Sequence, residues 1–301
     1  MFIKKLIKLN ANNLLLLPKE VVIPAYDRSK IKAGIVHIGI GGFFRAHEAF
    51  YTDQVLHHNP TDWGICGIAL LDNDQKIVDT LVNQDGLYTL MAIESDGTLS
   101  VRIIGSIIEY IFAPGNPEAA LEKMADPDIK IITLTITEGG YNFSEATGEF
   151  QIEEPAIQKD LNNPKNPRTV FGYITQALKR RRDRGIAGLT IQSCDNIRKN
   201  GDVLKRMLLS YVKEAEPELI NWIEEQVTFP NSMVDRITPA TRPSDIENLK
   251  NVYGIEDAWP VVCEPFIQWI IEDNYSNGRP DWESVGAVSY THLTLPTILL
   301  V

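Results

Sequence analysis

Residues 34–47, GIVHIGIGGFFRAH, constrain the fold more than any other stretch of the chain. Ile35, Val36 and Ile38 are apolar and β-favouring, which suits a strand buried in a parallel sheet. Gly39, Gly41 and Gly42 follow at once, where a side chain would keep a backbone from approaching a pyrophosphate. Residues 46–58 then read as the first helix, whose N-terminal amides and dipole would face that phosphate. The usual glycine fingerprint carries a third glycine three residues after the second, and that slot holds Phe44. A plain strand–turn–helix of an α/β domain fits the same residues, so the turn alone assigns no ligand.

At 301 residues, 44% apolar and 23% charged, the chain suffices for a large core, or for one large domain and part of another. Its formal charge of −11 argues against general nucleic-acid binding, because a phosphate backbone would be repelled. The basic run KRRRDR at 179–184 reads as the solvated end of a helix, where cations complement the dipole. Cys66, Cys194 and Cys263 are widely spaced with no CxxC, which suits reduced, buried thiols. Lys8, Asn10, Asn12 and Asn13 interrupt the apolar residues of the N-terminus and no small-residue cleavage site follows, so no signal peptide is expected. No segment approaches the ~18 apolar residues of a membrane span. A cytoplasmic protein is expected, with no nucleic-acid, membrane or obligate protein partner.

After an irregular lead-in over 1–30, strand and helix patterns alternate. WGICGIALL (63–71) is a second apolar run that ends in Asp72, Asn73 and Asp74. Residues 87–93 and 99–112 read as strands separated by the Asp96-Gly97 turn signal, and 117–125 as a short helix. IKIITLTIT (129–137) is a β-branched buried strand. Residues 141–168, with Pro155, Pro164 and Pro167, read as a long surface excursion. An amphipathic helix over 169–184, a strand over 188–193 and helices near 203–214 and 218–227 complete the pattern. This alternation predicts a Rossmann-like α/β fold, a doubly wound, mostly parallel sheet with helices on both faces, over 31–287.

In such a sheet ligands gather where strands end. Besides the glycine turn, three polar sets stand at strand ends. A carboxylate of Asp72-Asn73-Asp74 suits ribose hydroxyls and repels the extra phosphate of NADP, although a solvated turn fits equally. Glu138 stands with Gly139 and Gly140 directly after a long apolar strand. Asn196, in Ser193-Cys194-Asp195-Asn196, is placed to donate to a developing oxyanion. No His/Cys cluster has zinc spacing, and there is no nucleophile elbow or Walker loop. His37, inside the first strand, reads as a packed core residue, and His57-His58 as a solvated helix end.

With these sets in view the chain resembles the polyol-specific long-chain dehydrogenase/reductase family, also called the mannitol dehydrogenase family. The resemblance covers about residues 8–287. It rests on KLNANNL, GIVHIGIGGFFRAHEAFYTD, DGLYTL, RIIGSI, LTITEGGYN, TVFGYITQALKRRR, SCDNIRKNGDV, TFPNSMVDRITPAT and DAWPVVCEPFIQWIIEDN, in that order. Phe44 departs from the family's GGFHRAH. The resemblance implies zinc-independent, NAD-dependent oxidation of a secondary alcohol, D-mannitol to D-fructose. Gly39, Gly41, Gly42 and Phe43 would line the dinucleotide turn, with Asp74 and Asp72 at the ribose. Asn196 would form half of an oxyanion hole, Asp235 would sit at the substrate end, and Glu138 at the mouth of a proton path. A fructuronate or tagaturonate reductase of the same family shares these motifs and remains an alternative.

The family's general base is a lysine whose register falls at position 300, where this chain has Leu300. VSYTHLTLPT at 288–297 departs from the family abruptly and reads as the translation of a sequencing adapter. Residues 288–301 are therefore expected to be a non-native tail, with the family's helical C-terminal domain missing. On that expectation the chain binds NAD at best and does not turn over mannitol. A catalytically dead NAD-binding remnant is the further alternative.

Overall fold

A computed structural model describes residues 6–94, 96–144 and 146–291. Five parallel strands form the central sheet: β1 (Ala33–Ile38), β2 (Gly64–Ala69), β3 (Ile107–Phe112), β4 (Ile131–Leu134) and β5 (Thr190–Ser193). Their spatial order is β3–β2–β1–β4–β5, with Val36 opposite Cys66 and Ile35 opposite Ile131. The order reverses between β1 and β4, which opens a crevice at the carboxyl ends of those two strands.

Both faces of β1 are covered, which is why its sequence is apolar without alternation. Val36 and Ile38 pack with Leu121 of α4 (Pro117–Ala125), Ile174 of α6 (Val170–Asp183) and Leu208 of α7 (Asn200–Ala215). Ile35 faces the opposite core with Phe44, Tyr51, Leu81 of α3 (Gln75–Val82), Trp269 and Trp282. Helix starts are set locally. Asn116 caps α4 ahead of Pro117, and the Thr169 side chain accepts from the Gly172 amide to start α6. The excursion over 141–168 contains a helix of its own, α5 (Pro155–Asn162).

The first helix begins earlier than its pattern predicts and is broken. α1 (Gly42–Ala46) and α2 (Glu48–His58) meet at His47, whose φ of −115° and ψ of −91° are not helical. The run over 99–112 is likewise two strands. Leu99–Ile104 joins a small sheet with Tyr88–Ile93 and Val261–Cys263, whereas residues 107–112 form β3. Gly105 makes the corner. Its amide donates to Asp53 Oδ1 at 2.9 Å, and a Cβ there would lie 2.8 Å from Pro24.

A third sheet sets Ser232–Asp235 antiparallel to Gln268–Glu272, which pairs in parallel with Val288–Tyr290. The lead-in is tied down as well: Ile7–Lys8 pairs with Ile255–Glu256, and Leu9 is buried.

Two surface readings change. His57 is half-buried, its ring nitrogens 2.8 Å from the Asp53 carbonyl and 3.1 Å from the Ile23 carbonyl, so it clamps the lead-in to α2. The basic run is ion-paired rather than merely solvated: Lys179 meets Glu216, Arg180 meets Glu118 and Glu122, and Arg184 meets Glu122. Arg181 is buried and donates to the carbonyls of Ala187 and Asp126. Among the described residues no helix is long and apolar enough to cross a membrane. Residues 292–301, Leu300 among them, lie outside the described residues.

Candidate functional site

The glycine turn closes off β1 at the crevice. Gly39 has a φ of +99°, which an L side chain rarely adopts, and its amide donates to the Ile68 carbonyl at 2.9 Å. A Cβ on Gly39 would stand 2.5 Å from the Thr135 carbonyl oxygen, so this glycine serves the packing of β1 on β4. Gly41 is different. Its φ of −65° and ψ of 176° suit any residue, it is exposed, and a Cβ there would meet nothing within 4 Å. Nothing among the described residues requires a glycine at 41, whereas a ligand lying close over the backbone would. Gly42 opens α1, and the first amides of a helix lack intrahelical acceptors. Phe43 is half-buried and stacks on His47 with centroids 5.0 Å apart. A groove of about 630 Å³ opens beside the turn, walled by Gly42, Phe43, Lys76, Thr238 and Trp259.

Under the turn lies a buried polar layer. His37 Nδ1 is 2.9 Å from Glu48 Oε2 and 2.8 Å from Thr133 Oγ1, and Nε2 is 3.0 Å from Thr135 Oγ1. Phe44 stacks flat on the His37 ring at 3.6 Å. His37 is thus a core residue that ties β1, β4 and α2 together. His47 is fully buried, with Nε2 bound to the Gln268 carbonyl at 2.8 Å and Nδ1 without a partner. Burial above all, with Arg236 nearby, depresses its pKa to about 4.

The polar residues at the crevice stand on turns fixed from below. Glu138 is exposed in the single helical turn Thr137–Gly140 after β4. Thr137 has a φ of +61°, a strained value for a β-branched residue. The Asp195 carboxylate holds it there, accepting from the amides of Ile136 and Thr137 at 3.0 Å each, and from Tyr141 OH at 2.8 Å. Asp195 directly precedes the exposed Asn196, so one carboxylate couples the Glu138 turn to the Asn196 turn. Asn200 is fully buried and couples the third element. Its side chain donates to the Ser193 and Asp195 carbonyls and accepts from the Ser232 amide at 2.9 Å.

Asp235 ends the strand that Ser232 begins, and it is exposed. Arg236 next to it is buried, donates to the Ala46 carbonyl at 2.6 Å and lies over the Phe50 ring. That anchor brings the 236–241 loop across α1, so that Thr238 lies 3.4 Å from where a Gly42 Cβ would be.

Asp72 and Asp74 occupy a 3-10 turn after β2. Asp72 is exposed, whereas Asp74 is half-buried, and desolvation raises its carboxyl pKa. Asp195, Asn200 and Arg236 carry no signal in periodicity or spacing, because their role is to join segments remote in sequence. Tyr26 and Lys30 have the spacing of the short-chain dehydrogenase acid–base pair but make no such site. Tyr26 is buried on Asp53, and Lys30 pairs with Asp27. Among the described residues no group of three or more His, Cys, Asp or Glu could hold a metal ion.

Comparison with known proteins places the chain in a family. The family model described as the mannitol dehydrogenase Rossmann domain matches residues 33–284. The chain is 48% identical over 272 residues to a polyol:NADP oxidoreductase of Gluconobacter oxydans, covering 90% of this chain and 56% of that protein. It is 48% identical over 289 residues to a mannitol 2-dehydrogenase of Aspergillus terreus, covering 93% and 57%. Among solved structures it is similar to Pseudomonas fluorescens mannitol 2-dehydrogenase in a ternary complex with NAD and D-mannitol. The TM-score there is 0.93 at 47% identity, over 96% of this chain and 59% of that one. The chain therefore spans somewhat more than half the length of these relatives. On the match over residues 33–284 and these identities, the chain belongs to the mannitol dehydrogenase family, whose Rossmann domain it contains.

Proposed function

We propose that this chain is the NAD-binding part of a cytoplasmic, zinc-independent dehydrogenase that interconverts D-mannitol and D-fructose. Gly41 carries the cofactor half of this reading: its conformation and surroundings leave room for a side chain, so a ligand over the backbone is the reason for glycine there. Gly39, Gly41, Gly42 and Phe43 would hold the pyrophosphate, and Asp74 with Asp72 would accept from the adenosine ribose. When bound, the nicotinamide accepts the hydride of the alcohol carbon.

The chain's own groups orient and polarise. Asn196 donates to the oxygen that gathers negative charge, and Asp235 orients the substrate beside it. Glu138, exposed on a turn held by Asp195, passes a proton to solvent. The lysine base that the family uses has Leu300 in its place by register. The 301-residue chain is thus proposed to bind NAD without forming NADH from mannitol.

Calorimetric titration of the chain and of Gly41→Asp tests the cofactor half. Asp is a favoured N-cap, so the variant should melt no lower than the parent, while its charge and bulk should weaken NAD at least tenfold. Equal NAD affinity in the two proteins, or no NAD binding by the parent, would overturn the assignment.

A further inference from the structure

We infer that Arg168 is a specificity-determining residue at the adenosine end of the nucleotide site, the cation that allows a 2′-phosphate there. This rests on the dinucleotide reading of the glycine turn. Two carboxylates at the end of β2 lead to the expectation that NADP is repelled. In the fold, however, Asp72 does not stand alone. Arg168, from the loop between α5 and α6, places NH1 3.7 Å from Asp72 Oδ1, and both groups are largely exposed to solvent.

The base of that arginine is fixed. Its amide donates to Asp160 Oδ1 at 2.7 Å, and the neighbouring Thr169 amide and hydroxyl donate to Asp160 Oδ2 at 2.8 and 2.6 Å. Asp160 is buried, and Gly172 leaves it room: a Cβ there would lie 2.3 Å from Asp160 Oδ2. A hydrogen-bonded backbone thus delivers an exposed guanidinium to the turn that the ribose would approach. Guanidinium binds phosphate through paired N–H donors, and Asp72 offers it only a single long contact to give up. Asp74, half-buried, remains for the ribose hydroxyls. The chain is therefore built for both dinucleotides, which agrees with similar relatives whose names carry NADP in one case and NAD in another.

Titration of the 301-residue chain with NAD and NADP, by calorimetry at low salt, tests this directly. The parent should bind the two within about tenfold of each other. Arg168→Ala should weaken NADP at least tenfold and change NAD less than twofold. Asp72→Asn should strengthen NADP, and that gain should vanish when combined with Arg168→Ala. If Asp72→Asn gains as much without Arg168 as with it, loss of repulsion alone explains the site and the inference falls. It also falls if Arg168→Ala weakens both dinucleotides equally or neither. If the parent binds neither dinucleotide, it is the reading of the glycine turn that fails. A Gly41-dependent NAD signal with an unmoved NADP-to-NAD ratio defeats only the role of Arg168.

Discussion

The glycine turn and the polar crevice beside it are built in opposite ways. At the turn, support comes from beneath through fully buried groups close in the sheet: His37, Glu48 and Thr133 bind one another across β1, α2 and β4. Beside it, Glu138, Asn196 and Asp235 are all exposed, and their backbones are ordered by groups that bridge segments remote in sequence. Asp195, Asn200 and Arg236 do the holding. The difference shows how a fold separates placing a residue from burying it: the polar side chains stay reachable while their backbones are hydrogen-bonded into the core.

Breaking the crevice support should have the largest effect. Asn200→Ala removes the acceptor of the Ser232 amide and a donor to the Asp195 carbonyl, while the Ser193 carbonyl keeps the Ser232 hydroxyl, and should cost about 2–3 kcal/mol in urea unfolding. A loss under about 1 kcal/mol would mean that the crevice is not organised through Asn200.

The junction between the two regions should respond to pH. Burial lowers the His47 pKa to about 4 in the fold, against about 6.5 for an ordinary imidazole. Between those values the unfolded chain binds more protons, so stability falls as pH drops. By pH 4 the loss should approach about 3 kcal/mol, all of it absent above pH 7. Other groups add slopes of their own, so the measurement is the difference between parent and His47→Asn across that range. Parallel curves would show that His47 is protonated as easily in the fold as outside it.

A smaller effect is expected at the turn. Gly39→Ala forces a side chain into a positive φ and against the Thr135 carbonyl, and should cost about 2–3 kcal/mol. Thermal melts read this, and a neutral outcome would sink the claim that Gly39 serves packing. The smallest change belongs to the exposed set: Glu138→Gln should alter stability by less than about 0.5 kcal/mol. Finally, the purified 301-residue chain with NAD and D-mannitol should show no rise in NADH absorbance.

Some of this could be read directly from the residues. The unbroken apolar character of β1, β2 and β4 follows from burial on both faces, and turn glycines mark the ends of such strands. Asn116-Pro117 and Thr169 announce their helices because capping is local. What failed had its causes elsewhere in the chain. The run over 99–112 is apolar on either side of Gly105-Ser106 and so reads as one strand, yet Gly105 turns a corner against Pro24 and Asp53, which are distant in sequence. The basic run looked solvated because its partners Glu118, Glu122 and Glu216 lie on other elements.

The order of residues along the chain is enough to imply a parallel doubly wound sheet, a glycine turn at the end of its first strand, and which polar residues stand at strand ends. Those features depend on short-range periodicity, backbone freedom and capping. Contacts between remote segments are what join the Glu138 and Asn196 turns through Asp195, draw in the strand leading to Asp235 through Asn200, and bring Arg168 to Asp72. Such links form where the chain folds back on itself, and a single hydrogen bond between remote segments leaves no periodic trace along it.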